Sequence, residues 1–375
     1  MKKSHIYFLV LAVVHLALLF LLYQQFGFNT LNEGEKYISR AQLFAQGDFV
    51  NATQYQTFYL TYVSYLALFL VLKLPVSIIF ISTYCLSLFA YFQFYRFINA
   101  QFNKLTAQLW LLFVLCSPLI QYWQFNLFSE TFFIAISLLF AYYTLQPAIS
   151  NRILKVCVLA VLVIFSRPSG IFTVSVLVFY KLFHDGVLSK KQTLTYLACS
   201  LLILFLGIFF VFQLPYHDFA LYISNGSIYY GFPSWIYPQL EPGTYTLWDC
   251  YQFLYEQKGI KTIAYLFFKK FDSFFVTTRP YYSNFHNLIN LAHVVFYPFA
   301  LLSIYVSYRF QKKMFSVLMA FLCIILLNAL MIALIFNEWS ERHTLHVFPY
   351  IMLLSAYALS YLYQNVKSKW RITNG

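Results

Sequence analysis

Apolar runs of spanning or near-spanning length follow one another from end to end of the chain. They lie at about 6–23, 57–74, 76–95, 106–122, 127–145, 152–166, 169–184, 193–213, 288–308, 314–336 and 344–364. A helical membrane crossing takes about 20 apolar residues. Charged residues make up only 10% of the chain, against about 25% in a soluble domain. The reading is an all-α, polytopic transmembrane helix bundle of ten or eleven membrane segments, forming one integral-membrane domain over 1–375 with membrane lipids as its surroundings. In hydrocarbon, only helices and closed barrels satisfy every backbone polar group.

The formal net charge of +13 does not indicate a nucleic-acid partner, because the cations form no single face or domain. They fall as small clusters between apolar runs: Lys2-Lys3, Arg96 to Lys104, Arg152 to Lys155, Lys181 to Lys191, Arg309 to Lys313 and Lys367 to Arg371. That is the pattern of short cytoplasmic loops. With both termini in the cytoplasm, every acid except Asp185 falls outside, so the outer surface is the expected working surface. Counting crossings inward from the two ends leaves a disagreement of one between 57 and 95. The run 57–74, which ends in Lys73-Leu74-Pro75, is therefore expected to be a re-entrant or incomplete helix. The first run, behind Lys2-Lys3, exits through Tyr23-Gln24-Gln25-Phe26 with no small-residue cleavage site, and reads as an uncleaved signal anchor. The six cysteines pair in no metal or disulfide spacing and read as small buried hydrophobes.

Two outer segments are long. The first, 24–56, contains an amphipathic stretch over 35–46, expected to lie along the interface as a short helix. The second, 214–287, is dense in Tyr, Trp, Pro and Gly, including Trp235 and Tyr237. Its aromatic content argues against disorder, and Ile263 to Phe275 reads as an amphipathic helix carrying Lys269-Lys270.

Four places hold residues able to do chemistry. Glu33 and Glu35, in Asn32-Glu33-Gly34-Glu35, are carboxylates at a membrane mouth. Each can take a proton from a hydroxyl or hold a divalent cation, or be an ordinary solvated loop acid. Glu130 follows Ser129 at the start of an apolar run. Either it faces the same cavity as Glu33, or it complements the helix dipole behind a Ser129 cap. Arg167, in Arg167-Pro168-Ser169-Gly170, stands between two apolar half-runs broken by Pro and Gly. Such an Arg marks a ligand path or snorkels to the interface. Glu338-Trp339-Ser340-Glu341-Arg342-His343 packs charges into a short outer turn. There Arg342 can grip a phosphate with His343 assisting, or the turn holds only local ion pairs.

In this order, the pieces resemble the GT-C superfamily of integral-membrane glycosyltransferases, whose donors are sugars linked to polyprenyl phosphate. Glu33, Tyr37, Ala41 and Gly47-Asp48-Phe49 fit the family's first outer loop, Ser129-Glu130 its later outer acid, and Arg167-Pro168-Ser169-Gly170 its Arg-Pro-x-Gly element. Glu341-Arg342-His343 with Pro349 fits its late turn. Glu33 stands where Asp is usual, and His343 where Tyr is usual. The resemblance covers roughly 1–185 and 337–364. It implies a mannosyltransferase-like enzyme of cell-envelope glycan assembly in a bacterial inner membrane, with an outward-facing site. Glu33, with Glu35 as second choice, would be the base, and Glu130 would orient the acceptor or bind a metal. Arg167, Arg342 and His343 would hold the donor phosphate, and Tyr37, Trp235 and Tyr237 would line the sugar. No cofactor is certain, and a divalent cation is the one candidate. The partners implied are a lipid-linked sugar donor and a glycan, lipid or protein acceptor. A transporter or flippase of lipid-linked sugar, or a non-catalytic membrane protein of glycan assembly, are the readings from other classes.

Overall fold

A computed structural model describes residues 3–53, 57–146, 153–184, 245–276, 278–280, 282–334 and 342–374. Among them the chain is helical throughout, with no strand. The helices are α1 Lys3–Phe26, α2 Glu33–Ala45, α3 Phe49–Thr53, α4 Leu60–Val71, α5 Val76–Gln101, α6 Lys104–Cys116, α7 Pro118–Tyr122 and α8 Ser129–Leu145. There follow α9 Ile153–Ile164, α10 Gly170–His184, α11 Leu247–Phe275, α12 Asn284–Val294, α13 Phe296–Phe310, α14 Lys312–Leu334, α15 Arg342–Leu345 and α16 Phe348–Asn374. Two compact units result. One is Met1–Val178 with Val295–Ile324 and Leu345–Gly375; the other is Phe179–Val294 with Ile325–Thr344.

Four stretches among the described residues are long and apolar enough to cross a membrane: Ile6–Phe26, Val76–Gln101, His286–Phe310 and Lys312–Leu334. The bent pair α6 and α7, broken by 51° ahead of Pro118, makes a fifth if taken as one span. These are compatible with a multi-pass membrane protein. The side chains agree: Leu9, Val13, Leu16 and Phe20 of α1 are 58–61% exposed, a surface suited to hydrocarbon and a liability in water. The run expected to be incomplete, 57–74, forms a 3-10 turn and the 12-residue α4. At 1.5 Å per residue α4 is about 18 Å long, short of a ~30 Å hydrocarbon core.

In the first unit α8 is the central element. Every residue from Ser129 to Leu145 except Tyr143 is buried, as expected of a helix apolar all round. Helices α5 and α9 pack on it, and α16 packs on α6 and α13. Trp110 of α6 donates its indole N–H to the Pro349 carbonyl at 2.8 Å and lies 5.1 Å from the Phe94 ring. The buried His15 of α1 has two partners: Nδ1 donates to the Leu115 carbonyl at 2.8 Å, and Nε2 lies 2.8 Å from the Tyr84 hydroxyl. A carbonyl can only accept, so Nδ1 of this imidazole carries a proton. The cysteine expectation is corrected in part. Cys85, Cys157 and Cys323 are exposed, whereas Cys250 is buried in α11.

In the second unit α11 opens on a capping box. Thr246 Oγ1 accepts from Asp249 N at 3.1 Å and Asp249 Oδ2 accepts from Thr246 N at 2.8 Å, satisfying two otherwise unpaired donors. The helix kinks at Gly259 (φ 73°). Beyond the kink, Leu266, Lys270, Ser273 and Phe274 are its buried residues. The expected amphipathic helix over Ile263 to Phe275 is thus the second half of a longer element. Burial holds the Cys250 thiol up to about 12, so it is an inert packing group.

Candidate functional site

The first site is assembled on α2, whose position is set from two directions. Just before it, Asn29 N donates to the Phe125 carbonyl at 2.8 Å and Leu127 N donates to the Asn29 carbonyl at 2.9 Å. The Asn29 side-chain amide donates to Asn126 Oδ1 at 2.8 Å. This isolated parallel bridge stitches the first loop to the residues that lead into α8. One turn on, Gly34 lies so near Leu127 that an added Cβ would sit 3.4 Å from its carbonyl oxygen. At the far end of α2, Gly47 (φ 85°) closes a Schellman turn: Gly47 N donates to Phe44 O at 3.1 Å and Asp48 N to Leu43 O at 3.0 Å. Asp48 then caps α3, accepting from Asn51 N at 3.2 Å and Asn51 Nδ2 at 2.8 Å. The Gly-Asp-Phe element is therefore punctuation between two helices.

Glu33 is the first residue of α2, with its side chain 15% exposed and bonded to Lys36 Nζ at 2.8 Å. Glu35 is exposed. The Glu33–Lys36 pair is an i,i+3 contact whose lysine is 62% exposed, worth well under about 1 kcal/mol.

Behind Glu33 lies a buried polar cluster. Glu130 Oε1 and Arg167 Nη1 are 2.7 Å apart, with side chains 0% and 3% exposed. The same Arg167 nitrogen donates to Ser129 Oγ at 3.1 Å, and the Tyr37 hydroxyl lies 3.4 Å from that oxygen. The Tyr59 ring covers the Arg167 guanidinium at 5.9 Å and lies 5.5 Å from the Tyr37 ring. Tyr62 meets Tyr37 edge-on at 5.1 Å. Thus α2, α4, α8 and the α9–α10 turn converge on one charge pair. Ser129, expected as an N-cap, instead accepts from Arg167. It is the first helical residue, and Phe128 holds the cap position with no side-chain bond.

The α9–α10 turn is where Pro168 and Gly170 were expected to break the helix. Gly170 N donates to the Arg167 carbonyl at 2.9 Å, and Thr61 N donates to the Phe165 carbonyl at 2.9 Å, tying the turn to the start of α4. A Cβ on Gly170 would meet the Val163 oxygen at 2.1 Å, so only glycine fits this approach.

In the second unit, Arg342 opens α15 with 6% exposure, and His343 beside it is half-buried. Thr344 Oγ1 donates to the Phe274 carbonyl at the end of α11. Arg279 donates to the Ser273 carbonyl at 3.1 Å, the Thr278 carbonyl at 3.0 Å and the Val276 carbonyl. Asn287 clasps its backbone on both sides, at 2.8 and 2.9 Å. Arg279, Tyr59 and Lys270 were missed by sequence reasoning. A signal existed for Lys270, since Leu266, Lys270 and Phe274 repeat at i, i+4, i+8, the spacing of one helix face. Trp235 and Tyr237 lie outside the described residues.

Among the described residues no three His, Cys, Asp or Glu side chains converge in a manner able to hold a metal, and Glu130 is engaged by Arg167. No protein-family model, curated protein or solved structure matches the chain.

Proposed function

We propose that this protein is a GT-C-like membrane glycosyltransferase, built on ten or eleven membrane segments, that moves a sugar from a polyprenyl-phosphate-linked donor to an acceptor hydroxyl. In this reading it resides in a bacterial inner membrane and works on the outer face in cell-envelope glycan assembly. The observation that carries it is Glu33. Its carboxylate is partly exposed and sits at the first position of a helix anchored to α8 through Asn29–Asn126 and Gly34–Leu127. A base must be held within hydrogen-bond reach of the proton it takes, and such anchoring supplies that constraint.

Glu33 accepts the proton of the acceptor hydroxyl as its oxygen bonds to the anomeric carbon. The bond from that carbon to the donor oxygen breaks, and the lipid phosphate leaves with the electron pair. Its charge is neutralised by fixed cations, the usual electrostatic contribution in such transfers. Arg167 serves differently: held by Glu130 and Ser129, it fixes the wall behind the base. Tyr37, buried on the inward face of α2, links that wall to the helix carrying Glu33.

Mass spectrometry of lipid-linked and surface glycans tests the reading. Cells lacking the gene are compared after complementation with wild type, Glu33→Gln and Glu35→Gln. The expected result is a sugar restored by wild type and Glu35→Gln but lost with Glu33→Gln at normal protein level. A glycan restored equally by Glu33→Gln removes Glu33 as the base and moves the weight to a flippase or a non-catalytic role.

A further inference from the structure

The second unit contains a charge that nothing described so far uses. Lys270 is 2% exposed, on the stripe of α11 that also buries Leu266 and Phe274. A lysine normally snorkels to keep its ammonium wet; this one is enclosed. Among the described residues no acid pairs with it, and the acids of its own helix, Asp249, Glu256 and Asp272, are all exposed. A buried cation without a counter-charge is costly, and a fold keeps one chiefly where function needs it.

Its surroundings add positive charge. One turn along, the Phe274 carbonyl accepts from Thr344, two residues after the buried Arg342. The neighbouring Ser273 carbonyl accepts from Arg279, which is 1% exposed. Arg279 bonds the last carbonyls of α11, so it also cancels the negative end of the helix dipole that would otherwise repel an anion. Lys270 is left with its donors free, and an ammonium is a compact point charge suited to phosphate oxygens.

We propose that the C-terminal end of α11 is a binding site for a phosphate monoester. Lys270 is the contacting cation, Arg342 the second, and Arg279 the cap that fixes the helix end. The proposal rests on the transferase reading for the identity of the molecule bearing the phosphate, the lipid phosphate that the donor releases. The site itself is argued from the buried cations alone.

The test uses the purified full-length chain in detergent, with thermal unfolding as the readout and no sugar transfer. Wild type, Lys270→Met and Lys270→Arg are each titrated with inorganic phosphate, farnesyl phosphate and farnesol, chloride holding ionic strength constant. The expected result is that farnesyl phosphate raises the wild-type midpoint and farnesol does not. Lys270→Met weakens that response at least tenfold, and Lys270→Arg keeps part of it. A response to inorganic phosphate as well assigns recognition to the phosphate alone; a response only to farnesyl phosphate assigns it to a lipid headgroup. No response from wild type to either phosphate, or an undiminished one from Lys270→Met, overturns the site. If Lys270→Met does not fold, the Lys270→Gln variant is read in the same way. Loss of the site with sugar transfer intact leaves the transferase reading standing, and binding without any glycan product does the reverse.

Discussion

The carboxylate of Glu130 and the guanidinium of Arg167 meet at 2.7 Å in a region from which both side chains are almost wholly excluded from solvent. Removing one partner of such a pair strands the other, at a cost of about 3–5 kcal/mol, whereas apolar replacement of both is often close to neutral. Glu130→Gln and Arg167→Met are each expected to lower the thermal midpoint sharply, and the double variant to recover much of the loss. A double-mutant cycle in detergent measures this. Additive losses would show that the two side chains do not act as a unit.

Gly170 sits where a methyl group would lie 2.1 Å from the Val163 carbonyl oxygen. Backbone, not a flexible side chain, occupies that space. Gly170→Ala is expected to cost about 1–3 kcal/mol or more by forced backbone displacement, seen as poor accumulation and early unfolding. Normal stability in that variant would mean that the α9–α10 turn opens freely.

Tyr37 contributes far more by its ring than by its hydroxyl. The hydroxyl contact to Ser129 is long, at 3.4 Å, while the ring is buried against Tyr59 and Tyr62. Tyr37→Phe is expected to cost under about 1 kcal/mol, and Tyr37→Ala about 3–5 kcal/mol. Denaturant midpoints for the two variants check the order. Sugar transfer should survive Tyr37→Phe.

Lys270 gives a pH signature. Burial pushes its ammonium down from the ordinary lysine value of 10.5 to about 8, so the unfolded chain binds this proton more tightly than the folded one. Stability tied to this group is full above the unfolded value and is lost as pH falls through about 8. Lys270→Met should therefore be more stable than wild type at about pH 7, by on the order of 3 kcal/mol. The gap should close as pH rises toward about 10.5. Midpoints of both proteins across that range decide it; a constant gap would mean that the lysine is not held in its buried setting.

Much of the architecture was legible because membrane crossings and helix breaks depend on local sequence. Among the described residues the apolar runs became helices, with the run 193–213 lying outside them, Pro168 and Gly170 broke one where expected, and the amphipathic 35–46 stretch became most of α2. The site was less legible because its bonds are long-range. Nothing near Ser129 indicates that its hydroxyl accepts from Arg167 rather than capping its own helix. Glu130 and Arg167 each looked like a group facing a ligand path, and their engagement with each other emerges only when α8 meets the α9–α10 turn. Lys270 read as the charged face of an amphipathic helix, because a sequence shows which residues share a face but not which face is covered.

The bridge between Asn29 and Asn126 carries a consequence for motion. A loop knotted to the entrance of the most enclosed helix cannot swing as a lid, so the helix bearing Glu33 travels with α8. Whatever reaches this carboxylate must come to a fixed post, and any opening and closing around it belongs to other parts of the chain.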